Sequence, residues 1–132
     1  MLLTDGERTP LSVFITSANH AEVNTTETLV ETRLTEKLPP RLIDDRAADA
    51  DWLRESLARK NVELLCPHRR GRKKEPVQDG RALRRYRKRY KIERTFAWLF
   101  SHRRLVTRYE YYDHLFEGFV QLACLFIILK GF

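Results

Sequence analysis

The sequence is poor in the residues that define scaffold and fibrous proteins: its 132 residues include 2 cysteines, 5 glycines and 5 prolines. That content excludes a collagen-like or low-complexity chain, and two cysteines cannot staple a disulfide framework. Cys66 and Cys124 stand far apart, with no CxxC pair and no histidine at zinc-ligand spacing, so a structural zinc site is not expected. Both thiols are expected to stay reduced in a cytoplasm. Long hydrophobic runs are also missing. The longest, 119–129, is interrupted by Gln121 and falls short of the roughly 20 apolar residues that span a bilayer, so it is expected to be a core helix and no membrane partner is expected. The amino terminus lacks a basic segment followed by an apolar one, so no secretory signal is expected.

What the chain has in excess is positive charge, with a net +7 on a composition that is 42% hydrophobic and 33% charged. The balance is that of one soluble globular domain. The excess is localised. Residues 69–94 carry 13 basic residues against 3 acidic ones, whereas residues 1–68 carry 8 against 12. Such a block suits a phosphate-contacting element; the plainer alternative is a solvated helix face.

Leu2 to Thr4 and Leu11 to Thr16 flank a turn-rich segment and predict a strand pair. Asn24 and Glu27 suggest a capped helix start, with Leu29, Val30, Leu34 and Leu38 on one face and a stop before Pro39. Arg41 to Asp45 is a short apolar run ending in carboxylates, read as a strand. A helix is expected from an Asp49 N-cap to about Asn61, with Trp52, Leu53 and Leu57 at helical spacing, followed by a strand over 62–66. A basic loop over 69–80 leads to a breaker-free stretch, 81–101, that predicts one long helix. The last helix, 113–131, is expected to be a core helix facing inward through Leu115, Phe119, Leu122, Phe126 and Leu129. The order is that of a mixed α/β domain, and the strand, helix and strand over 41–66 fit a parallel crossover.

Within 81–101, Tyr86, Arg89 and Glu93 fall within about 60° of arc at 100° per residue, so they share a helix face. Taken alone, Arg89 and Glu93 form an ordinary i, i+4 pair. The stretch Tyr86-Arg87-Lys88-Arg89-Tyr90-Lys91-Ile92-Glu93, continued by Phe96-Ala97-Trp98-Leu99 and Arg103-Arg104-Leu105, resembles the signature of bacterial insertion-sequence DDE transposases of the IS-four and IS-five type. In that family a Tyr, an Arg and a Glu at these intervals mark the helix bearing the third catalytic acid. The segment Leu42-Ile43-Asp44-Asp45-Arg46-Ala47-Ala48-Asp49 is similar to the family's second-acid segment, with Asp45 in the catalytic register and Asp44 and Asp49 beside it. The aromatic residue usual before the second Asp of that segment is Ala48 here, and a Lys often found seven positions after the Glu is Phe100. Ser17-Ala18-Asn19-His20 and Pro67-His68-Arg69-Arg70 also resemble family segments, so the likeness extends over essentially the whole chain.

The resemblance implies a ribonuclease-H-like α/β fold that is incomplete, because the family's first acid lies on a central strand with no counterpart in this sequence. It implies Asp45 and Glu93 as catalytic residues and ligands of a two-metal site taking Mg²⁺ or Mn²⁺. Paired hard cations with oxygen ligands suit in-line attack on a phosphodiester. Tyr86 and Arg89, with Arg69, Arg70, Arg72, Lys73 and Lys74 of the loop, are the expected DNA contacts. The expected partners are transposon-end and target DNA, an upstream transposase polypeptide or reading frame supplying the first acid, and a second copy in a synaptic dimer. The chain alone is expected to be inactive in cut-and-paste transposition, and its location to be the cytoplasm, at the nucleoid. Two other readings remain at this point: a non-enzymatic basic nucleic-acid-binding protein, or an inactive transposase remnant.

Overall fold

The computed structural model describes residues 1–17 and 19–130. Ala18 of the Ser17–His20 segment and position 131 of the expected last helix lie outside the described residues. Strands β1 (Leu2–Thr4) and β2 (Pro10–Val13) form an antiparallel pair, and β3 (Arg41–Ile43) and β4 (Glu63–Leu65) a parallel one. The helices are α1 (Thr26–Glu31), α2 (Asp51–Arg59), α3 (Gly80–Leu83), α4 (Tyr90–Leu99), α5 (Arg103–Val106) and α6 (Asp113–Lys130). The expected α/β order is present, and α2 joins β3 to β4 as the connection of the parallel pair.

The two sheets do not pair with each other among the described residues. Alternation along β1 places its neighbours in different cores. Leu3 packs with Leu29, Val30, Leu42, Leu53, Leu57 and Leu64, while Leu2 packs with residues of α4, α5 and α6.

The exit from α2 shows how local sequence sets this packing. Asn61 takes the left-handed conformation (φ 58°), its N–H donates to the Ala58 carbonyl (2.9 Å), and the Val62 N–H donates to the Leu57 carbonyl (2.9 Å). This is a Schellman cap, and its usual apolar contact is supplied by Leu57 and Val62, both buried. The cap turns the chain at once into β4.

Several expectations need correction. Helix α1 ends at Glu31, and Leu34 is 73% exposed. Arg33 terminates the helix by donating to the carbonyls of Val30 (2.7 Å), Glu36 (2.5 Å) and Lys37 (3.2 Å), which draws 32–37 into a loop. Glu27 closes no capping box; it accepts from Ser56 (2.6 Å) and Lys60 (2.7 Å) of α2 and its C-terminal cap. The long helix over 81–101 is divided, because residues 84–89 wind as a 3₁₀ helix between α3 and α4. Five cations in six positions repel at i, i+3 and i, i+4, and none of these residues is buried, so nothing favours α-helical winding there. Finally, α6 buries Val120, Ala123, Cys124 and Ile127, whereas Leu115, Phe119, Leu122, Phe126 and Leu129 lie on exposed surface. The helix is apolar on more than one side, and periodicity alone selected the wrong one.

Candidate functional site

A crevice of about 640 Å³ lies between the sheets, lined by every residue of β1 and every residue of β3. Its lining includes Asp5 and Asp44 together with Arg85, Lys88, Arg89 and Lys91, as well as Arg33, Lys37 and Arg41. Asp44 follows the last residue of β3, and its N–H donates to the Leu65 carbonyl (3.0 Å), extending the β3–β4 pairing by one step. Its carboxylate accepts from the Asp45 N–H (2.8 Å) and the Thr26 hydroxyl (3.3 Å). Burial pushes the Asp44 carboxyl above the ordinary aspartate range, since too few donors offset the desolvation of its charge.

Asp45 turns the other way. Its Oδ1 accepts from the Ala47 N–H (2.7 Å) and caps the 3₁₀ turn 46–48, while Oδ2 has no protein partner among the described residues. Glu93, in the first turn of α4, accepts from Arg89 Nη1 (3.0 Å), and its side chain is 62% exposed. Arg89 therefore borders the crevice and holds Glu93 at once. Tyr86 and Arg89 stay on one face even in the 3₁₀ segment, since residues three apart eclipse at three per turn. Arg85 and Lys88 eclipse in the same way, and both border the crevice.

The best-connected carboxylate among the described residues is one that spacing did not single out as a centre. Asp49, expected as an N-cap, lies one residue before the Ala50 cap of α2, and its side chain is 1% exposed. Its oxygens accept from Arg54 Nη2 (2.9 Å), Arg72 Nη1 (2.8 Å) and the Arg69 N–H (2.9 Å), and His68 Nδ1 lies 3.4 Å away. Burial alone would raise this carboxyl, but the Arg69 amide and the two guanidinium groups outweigh it and hold the group below its ordinary value. Arg72 also donates to Asp51, which receives Lys74 Nζ at 2.6 Å, and these two cations pull Asp51 down to about 2. Arg69, Arg72 and Lys74 come from sequence-distant positions in the loop, which helical periodicity could not link to Asp49 and Asp51. Of the expected loop contacts, Arg69, Arg70 and Lys73 are exposed, and their side chains make no ion pair among the described residues.

The donor chemistry suits a hard divalent cation, since Asp45 and Glu93 each keep one carboxylate oxygen without a protein hydrogen bond among the described residues. No group of three or more His, Cys, Asp or Glu residues gathers to hold a metal among the described residues. One or two carboxylates completed by water and substrate phosphate is nonetheless a common Mg²⁺ arrangement. No helix among the described residues is long and apolar enough to cross a membrane.

Comparison with known sequences fits this combination of a strand-end acid and a basic Tyr-Arg-Glu segment. The chain is 30% identical over 134 aligned positions to a Burkholderia cepacia protein named "Putative transposase for insertion sequence element IS402". The match takes in 96% of this chain and 60% of that relative, so the chain spans well under two thirds of the relative's length. No solved structure matches. The family described as "Transposase DDE domain" matches residues 1–128, nearly the whole sequence, and the chain is a member of that DDE transposase family.

Proposed function

We propose that this chain serves cut-and-paste transposition of an insertion sequence, contributing the second Asp and the Glu of a catalytic centre that breaks and rejoins phosphodiester bonds. Asp45 and Glu93 are the catalytic carboxylates, and together they would hold Mg²⁺ or Mn²⁺. When bound, the cations supply Lewis-acid stabilisation of the attacking and leaving oxygens. Arg89 and Tyr86 position the flanking phosphates: one guanidinium nitrogen of Arg89 holds Glu93, and its other donors are available at the crevice. Arg85 and Lys88 add positive potential at the same mouth.

The observation that carries this reading is the crevice itself. Two short sheets, each with an unpaired edge, line one slot that also takes in Asp44, the sequence neighbour of Asp45, and Arg89, the partner of Glu93, although Asp45 and Glu93 do not themselves line it. An exposed strand edge is a template for another strand. In this reading a central strand carrying the first Asp enters the slot from an upstream transposase polypeptide or reading frame and completes a ribonuclease-H-like sheet. The chain alone is then inactive, and the completed protein works on DNA as a synaptic dimer at the nucleoid.

The test is reconstitution with the polypeptide encoded upstream in the same insertion sequence. The purified chain should show no Mg²⁺-dependent cleavage of a transposon-end duplex, and adding the upstream polypeptide should restore cleavage and reduce aggregation. Unchanged behaviour on addition would reject the completed-sheet reading.

A further inference from the structure

The basic loop contains five cations that look alike in sequence, and the structure treats them in two ways. Arg69 and Arg72 bracket a turn in which the Arg72 N–H donates to the Arg69 carbonyl (3.3 Å) and Gly71 sits at φ +78°. That positive φ at the third turn position is the type II pattern, in which glycine carries no steric cost. The turn sends Arg70 outward and returns Arg72 to the body of the protein, where its side chain is 14% exposed. There Arg72 meets Asp49 and Asp51, and Lys74 closes on the second oxygen of Asp51. Arg54 donates to the same Asp49 oxygen, Oδ1, as Arg72 does, and is itself fixed by the Leu64 carbonyl (3.1 Å) and Cys66 Sγ (2.9 Å).

We infer that Asp49 is a positioning residue that divides the loop: Arg72 is its internal counter-ion, Lys74 is paired at the surface with Asp51, and Arg69, Arg70 and Lys73 are the loop's phosphate contacts. Two carboxylates offset two of the three cations Arg54, Arg72 and Lys74, so the cluster presents far less charge to a phosphate backbone than its cations alone would. A phosphate that captured Arg72 would take one of the two guanidinium partners from the buried Asp49 and one of the two cations from Asp51, which makes that exchange unfavourable. Arg69, Arg70 and Lys73 have no such competitor among the described residues. The inference rests on the DNA-binding reading above, but the hold of Asp49 on the loop is measurable without DNA.

Two measurements on the full chain test it. In the first, a fluorescent duplex is titrated at several salt concentrations. Replacing Arg69, Arg70 and Lys73 together with Ala should reduce the log–log salt slope by about 2.7, at about 0.9 for each phosphate no longer neutralised. Lys74→Ala and Arg72→Gln, which keeps a donor for Asp49, should leave the slope unchanged; where R72Q does not fold, R72Q/D49N removes the stranded charge and replaces it. In the second, phenylglyoxal labelling read by mass spectrometry should modify Arg69 and Arg70 at least tenfold faster than Arg72, and D49N should accelerate Arg72 selectively. Equal labelling of Arg70 and Arg72, or a slope reduced by about 0.9 in K74A or R72Q, would overturn the inference. Protected Arg72 with no salt-dependent DNA binding would reject the DNA-binding reading and leave the role of Asp49 standing.

Discussion

Leu2 and Leu3 are neighbours on β1 and belong to different cores, Leu2 beneath α4, α5 and α6 and Leu3 against α1, α2 and β3. One three-residue strand is therefore the wall between the carboxylate half of the molecule and the half that anchors the Tyr-Arg-Glu helix. Both halves should fail together when that wall is weakened. Leu2→Ala and Leu3→Ala are each expected to cost about 2–5 kcal/mol, the range for deleting a buried leucine. Urea unfolding followed separately by far-ultraviolet dichroism and tryptophan fluorescence should show coincident transitions in both variants. Separated transitions would mean that the halves fold independently.

Acid should destabilise the chain through Asp49. Its carboxyl is held below the ordinary aspartate value, so the folded chain binds its proton less readily than the unfolded chain does. The resulting stability is complete above the unfolded value near 3.9 and is lost as pH falls through the lower folded value. Asp44 has the opposite sign: burial raises its carboxyl, so its ionised form weakens the fold once pH exceeds the ordinary range. Urea midpoints measured from pH 7 to pH 3 should flatten at the acid end in Asp49→Asn, and Asp44→Asn should be more stable than the parent at pH 7.

The two thiols should be inert in the folded chain. Cys66 and Cys124 are buried, and desolvation pushes both up to about 11, leaving little thiolate at pH 8. Iodoacetamide should label neither at a rate above that of global unfolding, and both should react at once in 6 M guanidinium. Rapid labelling of native Cys66 would show that the Arg54 and Asp49 cluster opens on its own.

Much of this was legible in the sequence, and what escaped it has physical causes. The order of strands and helices followed from short apolar runs and turn residues, while Asp45 and Glu93 were picked out by the resemblance to a transposase signature and not by spacing alone. The inward face of α6 was not legible, because a helix that is apolar on more than one side carries little periodic signal for which side its neighbours cover. The role of Asp49 escaped because two of its partners, Arg69 and Arg72, become neighbours only after β4 brings the loop back beside the start of α2. The 3₁₀ winding of 84–89 escaped because propensity counts good helix formers and ignores their mutual repulsion.

Glu93 should matter to chemistry and little to folding. Its pair with Arg89 is largely exposed, and such pairs contribute about 0–1 kcal/mol. Glu93→Gln should melt within a few degrees of the parent, whereas a large loss of stability would indicate a structural role.

The central claim is that Asp45 and Glu93 act together in one metal-dependent centre. Its most direct test is Mn²⁺-supported cleavage of a transposon-end duplex by the completed protein, with Asp45→Asn and Glu93→Gln compared under single-turnover conditions. Each substitution should abolish cleavage and the double variant should be no worse, with DNA binding and melting preserved in all three. Cleavage by either single variant at a rate near the parent's would contradict the assignment, whereas robust cleavage by the 132-residue chain on its own would contradict only the completed-sheet reading.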